Sequence, residues 1–355
     1  ARKSRGLGDV YKRQIYNLLF SVGFSSIGFI AAITVTALAV REVTTNPYLV
    51  GIPNALGVGG AFVGTQIFDY LQKRYSRMVA LANTFFVGAL GGVVCFISLL
   101  TNSFNLLIMG AFILGIGQSA SLQTRYASSF IVKEEFRATA LSLAVWFSVF
   151  GSVFGPRLVG QYSDTFNDIF GSELIVAYLI ATIGFLLAGI CVIGLTDKSS
   201  LLRLPVISEH TSTKTKLDVK AKQLTMLLVV NHFVMVIIMA ATPLHVQDIG
   251  ETIKVVGTII SYHTLGMFVF SPILGRFVDK VGSKKVSICG GFILLISCIF
   301  ALNSEDIILL HLSLFLLGLG WNFNYVSISS EISKYSIEKN TNPVSYTHLR
   351  AHETY

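Results

Sequence analysis

Ten stretches of this chain stay apolar for about as long as a helix needs to cross a bilayer, and no other feature limits its fold so strongly. They cover residues 15–40, 48–69, 78–100, 104–126, 138–160, 173–195, 223–243, 254–275, 286–303 and 306–330. Crossing roughly 30 Å of hydrocarbon takes about 20 helical residues. Buried strands can also be apolar throughout, but these runs are too long for strands and lack an alternation of period two. Composition agrees. The chain is 53% hydrophobic and 13% charged, with a mean hydropathy of +0.68, whereas soluble domains run near one quarter charged. The expected class is all-α, a polytopic membrane protein in contact with the lipid bilayer. Pro53, Pro156 and Pro272 fall inside the runs and are expected within spanning helices, where neighbours re-satisfy the freed backbone groups.

The two ends read differently. ARKSRGLGDVYKRQ, residues 1–14, opens without Met directly against an apolar run, and VSYTHLRAHETY, residues 344–355, follows the turn-like KNTNP. Both resemble translated library sequence, so they are expected to be a non-native leader and tail and take no part in fold reasoning. Without them the net charge of +8 falls to +4, because the leader carries five basic residues and one acidic, and the tail one of each. The four cysteines, Cys95, Cys191, Cys289 and Cys298, lie inside apolar runs and read as small buried hydrophobes.

Charge placement orients the segments. Of the 21 Lys and Arg outside the two ends, 18 fall in or beside the even-numbered gaps, and only Arg41, Arg157 and Lys254 lie on the other side. By the positive-inside rule the even gaps are expected to be cytoplasmic. Most basic residues lie in a few clusters between apolar runs, which makes a nucleic-acid surface a poor reading. The single long gap, residues 196–222, is rich in Ser, Thr and Lys and reads as a mobile cytoplasmic linker. It separates an N-terminal half, 15–195, with six segments from a C-terminal part, 223–339, with four. AFILGIGQSAS from Ala111 and LFLLGLGWNFN from Leu314 align Gly115 and Gly117 with Gly318 and Gly320. A six-segment period of this kind is a parallel repeat, and two further spans are expected beyond Pro343.

GRFVDKVGSKK, residues 275–285, follows the eighth segment. Its pattern, Gly275, Asp279, Lys280, Gly282, Lys284 and Lys285, resembles the signature loop of the major facilitator superfamily. The resemblance runs over about residues 15–340 and extends to bacterial efflux-type members. It implies two six-helix halves and secondary transport, without cofactor or metal, of a small-molecule substrate by a monomer of the bacterial inner membrane. Gly275 would let helices pack closely. Asp279 would face the positive start of the fifth segment, and the basic residues would pair with acids or headgroups. Together they would gate the cytoplasmic side. The first-half copy keeps Asp69, Lys73 and Arg74 but has Thr65 and Gln72 where the glycines should stand.

Within GSVFGPRLVG, Gly151, Gly155, Pro156 and Gly160 resemble the packing motif in the fifth helix of antiporters. Helix contact without any say in transport direction is the plainer reading of the same residues. Ala111 and Leu114 stand where proton-coupled drug exporters often carry arginine and glutamine, which weakens a proton relay at that place. Cavity-lining residues carry over, by position in the first, fourth, seventh and tenth segments, to Asn17, Gln118, Gln123, Asn231, His232, Trp321, Asn322, Asn324 and Tyr325. His232 and His263 are the candidate sites for a coupling proton, since no Asp or Glu lies at the centre of a span. Hydrogen bonding within the helix bundle is the structural alternative for both histidines and for the asparagines.

No catalytic residues are expected. There is no Gly-Lys-Ser/Thr phosphate loop and no His/Cys/Asp/Glu set with metal spacing. The functional expectation is proton-coupled efflux of a small organic solute. A nutrient importer for a sugar, carboxylate or amino-acid-like solute is the runner-up, and a non-transporting membrane sensor comes third.

Overall fold

The computed structural model describes residues 2–131, 137–193, 219–302 and 305–340. The long gap up to residue 218 and the tail from 341 lie outside the described residues. Eleven α-helices follow in order: α1 (Arg2–Val43), α2 (Ile52–Arg74), α3 (Arg77–Leu100), α4 (Phe104–Ile131), α5 (Arg137–Phe170), α6 (Ile175–Ile193), α7 (Val219–Asp248), α8 (Ile253–Phe268), α9 (Ser271–Val281), α10 (Ser283–Ala301) and α11 (Ile307–Asn340). There is no strand among the described residues. Nine helical stretches among them are long and apolar enough to cross a membrane, and α5 covers the remaining predicted segment. The protein is an all-α integral membrane protein.

The three expected prolines all fall in helices, but at different positions. Pro53 and Pro272 do lie in helices, but each occupies the first turn, of α2 and α9 respectively, and not the interior. That position suits proline, because its missing N–H would have no intrahelical partner anyway. Pro272 thereby divides the eighth segment into α8 and α9, so the ninth and tenth segments are α10 and α11. Pro156 does lie inside α5, and Pro243 inside α7. Several helices outrun their apolar runs. α5 continues ten residues past the predicted limit through the polar QYSDTFNDIF, since the hydrogen-bond ladder need not stop where hydropathy does.

The chain divides into two compact units, residues 1–210 with 238–269, and residues 211–237 with 270–355. In the first, α1 packs on α5 and α6, α4 on α2 and α3, and α8 on α5. Its core holds Leu38, Phe68, Phe85, Tyr178 and Phe185, all essentially buried. Buried hydroxyls there turn back onto their own helix: Thr34, Thr84 and Thr124 donate to carbonyls four residues earlier, at 2.7–2.8 Å. This satisfies them without water. In the second unit α10 packs along α11, and α9 touches both.

Glycines set the closest helix approaches. A Cβ on Gly117 would meet the Cα of Gly88 in α3, and one on Gly320 would lie 3.0 Å from the Gly290 carbonyl in α10. These are the two glycines aligned by the repeat, and each meets a glycine of the preceding segment. The outward faces are apolar. Ile288, Phe292, Leu295, Ile296 and Ile299 form one exposed stripe along α10, the inverse of a soluble surface and the expected face toward lipid.

Candidate functional site

Polar side chains within the apolar helices of the second unit form a hydrogen-bonded chain and a separate pair. Asn231, buried in α7, donates through Nδ2 to the Trp321 carbonyl at 3.3 Å. Its Oδ1 accepts from Asn324 Nδ2 at 3.1 Å. Asn324 Oδ1 accepts in turn from Ser287 of α10 at 2.9 Å, and Asn322 Oδ1 from Ser271 of α9 at 3.1 Å. The indole of Trp321 stacks on the Tyr325 ring, with centroids 4.8 Å apart and planes 13° from parallel. The His232 ring stands 6.0 Å from it. Tyr325 and His232 are exposed, whereas Trp321, Asn322 and Asn324 are buried. Two donors here have no hydrogen-bond partner among the described residues, Trp321 Nε1 and Asn322 Nδ2. An unpaired buried N–H is costly in an apolar surround. Ser271 and Ser287 were not singled out in the sequence, although a serine directly before Pro272 was a usable sign of a helix start.

The other predicted cavity residues fall elsewhere. Asn17 donates to the Cys191 carbonyl of α6 at 3.1 Å, in the α1–α6 seam. Gln118 and Gln123 of α4 are half-buried, and Gln118 Oε1 has no hydrogen-bond partner among the described residues. His263 is fully buried in α8.

In the signature loop, Gly282 caps α9 with φ +94° and ψ 142°, a region that side chains with a Cβ rarely enter. Gly275 does not behave as expected. A Cβ there would meet no atom within 4 Å, so no close helix approach depends on it among the described residues. Leu274, Val278 and Val286 pack together beneath the loop with Phe323 and Val326, leaving Asp279, Lys280, Lys284 and Lys285 exposed. In the first-half copy, Asp69 accepts from Gln72 Nε2 at 2.8 Å, and Arg74 donates to the Tyr70 hydroxyl at 2.9 Å. Lys73 is exposed.

The glycine-proline motif of α5 divides its work. Gly151 and Gly155 press against Ser26 and Ile27 of α1, while Gly160 and Pro156 meet Lys254 and Gly257 of α8.

Long apolar helices in a repeated pattern, a signature loop and a set of buried polar side chains define a polytopic membrane transporter. The sequence matches the Major Facilitator Superfamily over residues 15–342, and the chain belongs to that family. It is 31% identical to the uncharacterized MFS-type transporter YdeG of Bacillus subtilis (strain 168), over 90% of this chain and 77% of that one. It is 24% identical to the riboflavin transporter RfnT of Brucella anthropi, over 85% and 75%. The fold resembles the D-xylose-proton symporter, with a TM-score of 0.63 at 15% identity, over 88% of this chain and 81% of that one. The protein is a transporter rather than an enzyme.

Proposed function

We propose that the protein moves a small organic solute across the membrane by alternating access, as proton-coupled efflux, with the residues 15–195 and 223–339 belonging to two repeated halves. The observation that supports it best is the pair of unpaired donors, Trp321 Nε1 and Asn322 Nδ2, beside an aromatic stack. A solute carrying an acceptor next to an aromatic or apolar body would satisfy the donors and cover the rings. His232, against Trp321, is the first proton site to test, and His263 the second. The even-numbered gaps are cytoplasmic in this reading, the chain acts as a monomer, and Asp279 and Asp69 belong to the cytoplasmic gate. The resemblance of Gly151, Gly155, Pro156 and Gly160 to an antiporter motif favours export.

Dye accumulation tests this directly. Cells producing the intact protein should hold less of a dye panel than controls, and collapsing the proton gradient should abolish the difference. Unchanged levels across the panel would contradict export. The relative named as a riboflavin transporter supports a second reading, import of a nutrient. Labelled-solute uptake into proteoliposomes separates the two directions.

A further inference from the structure

Outside the signature loop, two ion pairs tie helices of the N-terminal half to helices of the C-terminal half within the first compact unit. Arg41, in the last turn of α1, binds Asp248 at the end of α7 through both terminal nitrogens, at 2.6 and 3.1 Å. It also reaches Gln247 Oε1 at 3.3 Å and the Leu244 carbonyl at 3.4 Å. Lys254, in the first turn of α8, binds Asp164 of α5 at 2.6 Å. Arg41, Asp164 and Lys254 all line one cleft of about 560 Å³, with buried Val256 in its lining.

Local helix physics does not explain where these charges sit. An acid at a helix C-terminus and a base in a first turn both oppose the macrodipole, and Asp248 and Lys254 occupy those two positions. Nor does membrane orientation. Only three Lys or Arg between the chain's ends lie beside odd-numbered gaps, and two of them, Arg41 and Lys254, are spent on these pairs. The four side chains stay 37–71% exposed. Solvated pairs of this kind hold weakly and part easily, a poor device for static stability and a suitable one for a contact that is made and broken.

We infer that Arg41–Asp248 and Lys254–Asp164 form a two-pair gate over the odd-numbered gaps. The gate is shut in this structure and must open for solute to pass on that side. The inference rests on the alternating-access reading. Opening exposes the cleft lining and the first turn of α8. Each pair biases the closed state by a small amount, and two small biases are enough to set a population without locking it.

The test uses the intact protein in oriented vesicles, with Cys95, Cys191, Cys289 and Cys298 replaced by alanine and Val256→Cys as reporter. The reading is its labelling rate by a membrane-impermeant maleimide. Arg41→Gln with Lys254→Gln should raise labelling about three- to tenfold, the range open to two solvated pairs. The swaps Arg41→Asp with Asp248→Arg, and Lys254→Asp with Asp164→Lys, should bring it back toward the parent rate. Labelling of the doubly neutral protein within twofold of the parent, or a rise that neither swap reverses, would overturn the gate. Labelling from the side of the even-numbered gaps would overturn its placement. If the parent reporter labels at one rate whether or not a proton gradient is imposed, the proton-coupled reading fails, a result distinct from pair variants that leave a cycling reporter unmoved.

Discussion

Gly282 and Gly275 belong to one motif but face different demands. At φ +94°, Gly282→Ala should cost about 1–3 kcal/mol, lowering the unfolding temperature in detergent. Gly275 lies within α9 with open space around it, so Gly275→Ala should leave that temperature unchanged or raise it slightly, since alanine is the better helix former. Equal losses at both sites would refute this division. In the hydrogen-bonded chain, Asn231→Ala strands the Nδ2 of Asn324. Interhelical polar contacts in membranes contribute about 0.6–1.7 kcal/mol, and a loss of that size is expected in the same melt. The motif spacing marked both glycines in the sequence. It could not tell the one needed for backbone conformation from the one that is not, because φ is a property of the folded junction.

Close seams between elements depend on residues with no side chain. Gly117 faces Gly88 and Gly320 faces Gly290, so this one aligned pair of glycines sits at corresponding seams, α3–α4 and α10–α11. Gly117→Val should cost about 1–3 kcal/mol by overpacking and reduce folded yield. Gly59→Val, where nothing lies within 4 Å, should be neutral. Helix existence was legible from apolar length, because in lipid only helices and closed barrels satisfy the backbone and these runs are too long and unalternating for barrel strands. Helix ends were less legible. Polar residues 161–170 extend α5, and Pro272 opens a new helix inside one apolar run. Hydropathy reports the solvent of a segment, and proline sets the ladder, so the two signals disagree where a span is broken.

At the scale of the whole molecule, the proposed cycle has contacts on both faces that form and part. The signature-loop side was readable because its residues are contiguous. Arg41, Asp164, Asp248 and Lys254 lie far apart in sequence, and only folding brings each pair together. The residues expected in the cavity were legible as types, since amides and a histidine in apolar helices are conspicuous, but their partners were not. Asn17 is engaged by α6, while Asn231 and Asn324 join each other. Asp279→Asn, at the exposed end of α9, should slow transport several-fold with expression intact, measured as initial flux per unit of protein.

The most direct measurement is solute flux in proteoliposomes under an imposed proton gradient, parent against Trp321→Ala. Parent vesicles should show gradient-driven flux of at least one member of an aromatic organic-cation and heterocycle panel. Trp321→Ala, with protein amount and melting temperature checked, should lose about tenfold or more of that flux, since stacking and the Nε1 donor go together. Full flux in Trp321→Ala, or parent flux indifferent to the gradient, would contradict a proton-driven carrier that holds its solute at the Trp321–Tyr325 stack.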